Sequence, residues 1–244
     1  MSAVVQRFQG ARRDPAVTVL EGFHAVKHAV RFGAELVEVV TTDAGEVARL
    51  ASDLAPDVAA RLAAAEVVGS ETLAALGPRA PRTGVMAIAR RPLVDPGAVL
   101  SDAADRPVVL LEEPRTMGNL GACVRVAAAA GAGGVLSTGT NDPWHPDALR
   151  GAAGLHYALP VGRVDLAAVL AGQGSRGRRA LVALDPEGDV FDPRALPPRA
   201  LLAFGTERDG LTGELLDAAD LRLRLPMEPG VSSLNLATSV SAVL

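Results

Sequence analysis

The stretch "RTMGNLGACVRVAAAAG" (115–131) sets Asn119 and Arg125 six residues apart in a segment otherwise small and apolar. On a helix that separation is about 9 Å along the axis. Arginine keeps its charge in proteins, and its fork of donors suits phosphate or carboxylate. Gly118, Gly121, Ala122, Ala128 and Ala129 lie on or near the arginine's face, which predicts room for a ligand beside the cation. A second stretch, "LLAFGTERDGLTGELLDAAD" (201–220), runs from a buried strand into a loop bounded by Gly205 and Gly210. It presents Glu207 at a strand's carboxyl end, where open α/β sheets bind their ligands. A third, "LRLRLPMEPGVSSLNLATSVSAVL" (221–244), ends a strand at Leu225 and turns through Pro226. Ser232 or Ser233 then caps a final helix carrying Asn235. Hydroxyl and amide groups at the positive end of a helix dipole suit an anion or carboxylate.

Other motifs fail on context. "AGAGGVL" (130–136) lacks the GxGxxG spacing and precedes a strand, the reverse of a dinucleotide fingerprint. "GTERDGLT" (205–212) has P-loop glycine spacing, but Leu211 stands where the phosphate-reaching lysine belongs. His24 and His28 share a helix face without a third ligand nearby, so a surface or contact role is expected and no metal.

These groups need a scaffold, and the apolar runs predict an α/β one. Residues 18–89 alternate helical patterns (22–32, 46–55, and 70–77 capped by Ser70) with strands (36–42, 65–69, 83–89). The proline-rich stretch 90–107 reads as a linker or boundary. A second series follows, with strands at 108–112, 134–138, 157–161, 180–184, 200–204 and 221–225. Helices fall near 119–130, 146–152, 165–171, 212–218 and 233–244. Near-continuous apolar strands between helices indicate a mostly parallel sheet covered on both faces. The domains expected are 1–91 and 108–244, joined by 92–107.

Composition narrows the class. The chain is 244 residues long, with a single cysteine, Cys123, and so no internal disulfide. No apolar run nears the roughly 20 residues that span a bilayer, and the N-terminus lacks a secretory core. A cytosolic protein is expected. The net charge of −4 does not advertise nucleic-acid binding. Arginines nevertheless gather at 12–13, at 79, 82, 90 and 91, and at 176, 178 and 179; Lys27 is the one lysine.

Taken together, "GNLGACVRVAAAAG", "FGTERDGL" and "LPMEPGVSSLNLA", in that order and separation, resemble the SpoU (TrmH-type) family of RNA ribose 2′-O-methyltransferases of the SPOUT superfamily. "RGAAGLHYALPV" (150–161) is similar to the family's intermediate segment. More weakly, "LEGFHAVKHAV" and "APRTGVMAIA" resemble its ribosomal-protein-like substrate-binding domain. Met117 replaces a frequent proline and Val126 a common threonine, and relatives usually continue the helix past "SAVL".

The resemblance implies a SPOUT-type parallel sheet with a deep trefoil knot, preceded by a small α/β RNA-binding domain at 1–91. It also implies bent S-adenosylmethionine held mostly by backbone groups, and an active site completed across a homodimer. The cofactor is then expected on Gly205, Gly210, Leu225, Met227 and Leu234. Arg125 is assigned to the target phosphate and 2′-oxygen, with Asn119, Glu207, Ser233 and Asn235 orienting arginine and ribose. The separate N-terminal domain favours ribosomal over transfer RNA; DNA and membranes are not expected partners. The other classes left open are a non-catalytic RNA-binding or ribosome-assembly protein and a methyltransferase acting on protein or small molecules.

Overall fold

Apolar runs such as "VVLL" (108–111) and "ALLAF" (200–204) become strands buried along their whole length. The computed structural model describes residues 2–174, 177–206, 208–231 and 233–244, and divides into two units. The first comprises Met1–Leu93 with Ala152–Ala158; the second comprises Val94–Gly151 with Leu159–Leu244.

The first unit runs α1 (Ala3–Ala11), β1 (Val17–Glu21), α2 (Phe23–Arg31), β2 (Leu36–Thr41), α3 (Ala44–Leu54), α4 (Ala59–Leu62), β3 (Glu66–Val67), α5 (Ser70–Ala75) and β4 (Val85–Arg90). Its strand order is β1-β4-β2-β3, antiparallel except for the β2–β3 pair. Phe8 of α1 packs with Val19, Val40, Met86 and Ile88 in one apolar cluster. Ser70 begins α5 rather than capping it, because Gly69 occupies the cap position and offers no side chain.

The segment 152–158 completes this unit. Its 3-10 turn Leu155–Tyr157 takes the place of the strand predicted at 157–161. A carbonyl can only accept, so the His28 Nδ1–H donates to Ala153 O at 2.8 Å. Tyr157 Oη donates to Arg90 O at 2.9 Å. Gly154 sits at φ 77°, and a Cβ there would lie 2.4 Å from Ala25 O, so only glycine fits.

The second unit runs α6 (Pro96–Ser101), β5 (Val108–Leu111), α7 (Met117–Ala130), β6 (Gly134–Ser137), α8 (Pro146–Gly151), β7 (Val161–Arg163), α9 (Leu166–Gly172), β8 (Ala180–Val190), β9 (Ala200–Phe204), α10 (Gly213–Ala218), β10 (Leu221–Arg224) and α11 (Leu236–Val243). Its six described strands form a parallel sheet in the order β10-β8-β9-β5-β6-β7. The stretch read as a linker contributes α6, whose Val99 enters the core beside Leu110, Leu136 and Leu201. β8 outruns its predicted end because its pairing with β10 skips residues 184–188 and resumes beyond them. Arg222 faces Ala183 while the next residue, Leu223, faces Asp189.

Several arginines of the sequence clusters are internal ties. Arg12 donates to Glu21 Oε1 at 2.7 Å and to Leu76 O at 3.0 Å. Arg179, only 2% exposed, donates to the carbonyls of Arg106 and Asp102 at 2.6 and 3.1 Å. Arg178 is held by Asp220. Arg176 lies outside the described residues. Arg13, Arg79 and Arg82 are exposed, and their guanidinium groups make no hydrogen bond or ion pair among the described residues.

Candidate active site

The alanine-rich run 117–130 has the strongest helix formers and no β-branched cluster, so it forms α7. Gly131 ends it at φ 74°, the left-handed turn that glycine supplies at a helix C-terminus. Asn119 lies in its first turn and is half-buried. Asn235 Nδ2 donates to Asn119 Oδ1 at 3.2 Å, while Asn235 Oδ1 accepts from Ala237 N at 3.0 Å. One asparagine therefore caps α11 and ties it to α7. The cap is Asn235 itself rather than a serine: Ser233 sits in the preceding loop, and Ser232 lies outside the described residues.

Arg125 stands on the exposed side of α7, its guanidinium without hydrogen bond or ion pair among the described residues. Of its small neighbours, Gly118 opens onto free space, but Gly121 does not. A Cβ on Gly121 would meet Ala148 O of α8 at 2.1 Å. That glycine exists for helix–helix approach, not for a ligand.

The loop after β9 closes on itself. Thr206 and Gly210 exchange backbone hydrogen bonds at 3.1 Å in each direction, and Gly210 adopts φ 68°. A Cβ on Gly205 would lie 2.1 Å from the Gly210 carbonyl carbon, so the two glycines are required by the turn's own closure. Glu207 lies outside the described residues. Two contacts not anticipated from sequence hold this turn. Arg115, before α7, pairs with Asp209. Glu112, 3% exposed, accepts from Thr212 N at 2.8 Å and Thr212 Oγ1 at 2.7 Å. The available signal was an acidic residue directly following a buried strand, which must find donors.

A cavity of about 220 Å³ opens at the carboxyl ends of β9 and β10, beside the bulge of β8. Gly205, Gly210, Leu225, Met227, Leu234 and Ser233 all line it. The β8 bulge adds Leu184, Asp185 and Pro186, and Arg208 and Arg224 complete its charged lining. Four of the five predicted site residues are thus placed: Asn119 and Asn235 in contact, Ser233 on the cavity wall and Arg125 exposed on α7. No hydrogen bond joins Arg125 to the other three.

Residues 106–244 match the SpoU rRNA Methylase family. The chain belongs to this family. Its α/β fold with a parallel sheet matches that of SpoU methyltransferases. The SpoU methyltransferase AviRb from Streptomyces viridochromogenes, solved in complex with the cofactor AdoMet, superposes with a TM-score of 0.78 at 26% identity. That similarity covers 100% of this chain and 96% of AviRb. The 23S rRNA (adenosine(1067)-2′-O)-methyltransferase of Streptomyces azureus is 27% identical over 96% of this chain and 87% of its own length. An uncharacterized tRNA/rRNA methyltransferase of Mycobacterium bovis is 34% identical over 65% of this chain, which spans only 57% of that relative.

Proposed function

We propose that this SpoU-family chain is an S-adenosylmethionine-dependent methyltransferase acting on a ribose 2′-hydroxyl of ribosomal RNA. The observation that carries the reading is the cavity at the strand ends, walled by both the glycine turn and the loop before α11. Its lining fits the cofactor. Phe204, Leu225, Met227 and Leu234 provide apolar walls for a purine, and the closed turn brings main chain to the surface bare of side chains at Gly205 and Gly210. When bound, the cofactor supplies an electrophilic methyl group.

The chain's residues then have to align the ribose and stabilise the oxygen as it loses its proton. Arg125 faces the target phosphate and 2′-oxygen and lowers the cost of deprotonation by its fixed charge; the proton leaves to phosphate or water. Asn119 and Asn235 share a hydrogen bond that holds α7 against α11, and with Ser233 and Glu207 they orient the nucleotide. A homodimer completes this site, consistent with the open surface around Arg125.

The path from β10 at the sheet edge back to α7, through the Asn235–Asn119 bond, supports a deep trefoil knot in which the last helix threads the loops of the second and third motifs. The first unit is the RNA reader, and Arg13, Arg79 and Arg82 are its available cations. Similarity to the Streptomyces azureus enzyme along both units supports ribosomal over transfer RNA. No helix among the described residues is long and apolar enough to cross a membrane, which accords with work in the cytoplasm.

The test is transfer of labelled methyl from S-adenosylmethionine to purified ribosomal RNA. Label that is lost to RNase and maps to a ribose 2′-oxygen is the expected result. Label in protein, or none in RNA, overturns the reading.

A further inference from the structure

The described lining of the cavity carries three charged side chains, and their balance is uneven. Asp185 is neutralised in place: Arg222 Nε donates to its Oδ2 at 3.0 Å, and the carboxylate is only 12% exposed. Arg208 and Arg224 are exposed, and neither guanidinium makes a hydrogen bond or ion pair among the described residues. Arg224 closes β10, where its carbonyl accepts from Phe191 N at 2.9 Å, so its main chain is pinned while its side chain stays available. Leu223 is buried and Arg224 exposed, and both border the cavity. Two cations without a partner among the described residues, set beside apolar walls, suit a ligand with an apolar body and an anionic end.

We propose that Arg224, assisted by Arg208, binds the carboxylate at the amino-acid end of the cofactor. This rests on the cofactor reading above and adds to it the recognition of that end. S-adenosylmethionine carries a sulfonium and an ammonium against one carboxylate, so a cationic wall tolerates it only when the carboxylate is set against the guanidinium groups. S-adenosylhomocysteine lacks the sulfonium charge but keeps the carboxylate, and on this wall it binds more tightly than the methyl donor.

The experiment is calorimetric titration of the full-length protein with S-adenosylhomocysteine and with its decarboxylated analogue, which keeps the amine. Arg224→Gln and Arg208→Gln are compared with the unaltered protein, and thermal melts confirm that each variant folds. In the unaltered protein, loss of the carboxylate weakens binding about tenfold, as expected for a charge-assisted contact open to solvent. Arg224→Gln weakens S-adenosylhomocysteine by a similar factor and leaves the analogue within about twofold; Arg208→Gln does the same to a smaller degree. Equal weakening of both ligands by Arg224→Gln, or of neither, overturns the proposal. So does a defect confined to RNA binding, which would assign the guanidinium to phosphate. If the unaltered protein binds neither nucleoside, the cofactor reading itself falls, and this proposal with it.

Discussion

Arg125 projects from a helix of small residues with no carboxylate among the described residues to hold it, so its removal should leave the fold intact and touch only chemistry. Arg125→Ala should lower kcat for RNA methylation more than tenfold, a barrier increase above ~1.4 kcal/mol, with cofactor affinity nearly unchanged in calorimetry. Arg125→Lys should fail as well, because a point charge cannot bridge phosphate and ribose in the same geometry. Gly205 makes the opposite kind of demand. Its Cβ would strike the Gly210 main chain at 2.1 Å, so Gly205→Ala should open the 206–210 turn and weaken S-adenosylhomocysteine binding at least tenfold. Gly213→Ala, with nothing within 4 Å of the added atom, should leave binding as it was. Arg125, Asn119 and Asn235 drew attention in the sequence because unusual polar residues stood in apolar, motif-like surroundings, and of these the structure joins Asn119 to Asn235. The structural duty of Arg12 and Arg179 was not. An arginine that ties loop carbonyls together has no local signature, since its acceptors lie far along the chain.

At the scale of elements, the α7–α8 contact fixes the helix that bears Asn119 and Arg125. Gly121 lets the two helices approach until its missing Cβ would be 2.1 Å from Ala148 O. Gly121→Ala should therefore cost about 1–3 kcal/mol, seen as a fall of several degrees in melting temperature. Gly118→Ala meets nothing within 4 Å and should be neutral or slightly stabilising. A destabilised Gly118 variant beside a normal Gly121 variant would reverse this assignment of the two faces. The buried parallel strands were readable because apolar runs bounded by turns have few other fates. Two elements were not. The 157–161 run is apolar enough for a strand, but its residues 157 and 158 are claimed by the first unit, and β7 starts only at Val161. The β8 extension contains Pro186 and Gly188, which argue for a turn until the bulge shows how the ladder resumes beyond them.

For the molecule as a whole, charge and pH give separable expectations. Exchanging Arg13, Arg79 and Arg82 for glutamine in the full chain should weaken RNA binding and flatten its salt dependence, with cofactor affinity unchanged. Arg12→Gln should instead lower the melting temperature, because it breaks the Glu21 and Leu76 ties. Unchanged salt dependence in the triple variant would remove the first unit as reader. Burial, partly offset by the Ala153 carbonyl, holds the pKa of His28 below its ordinary value of 6.5. The unfolded chain therefore takes up that proton first. Stability from this site is fully present above about pH 6.5 and falls as pH drops from there toward the folded value. Melts between pH 7.5 and 5 should show this loss, and His28→Gln should flatten it. The break between two α/β series was visible near residue 90, but the assignment of 152–158 to the first unit was not, because it depends on a partner more than 120 positions away in the chain.

That distant partnership bears on how such a protein can be recombined. The first unit is written in two separate passages of the gene, so it cannot be exchanged as one cassette. A chimera that imports residues 1–93 from a relative must import 152–158 too, or His28 and Ala25 will meet a foreign segment where Ala153 and Gly154 now fit. Swaps carrying both passages should melt as cooperatively as either parent; swaps carrying only the first should not. Target preference within this lineage would then pass between relatives as a matched pair of inserts.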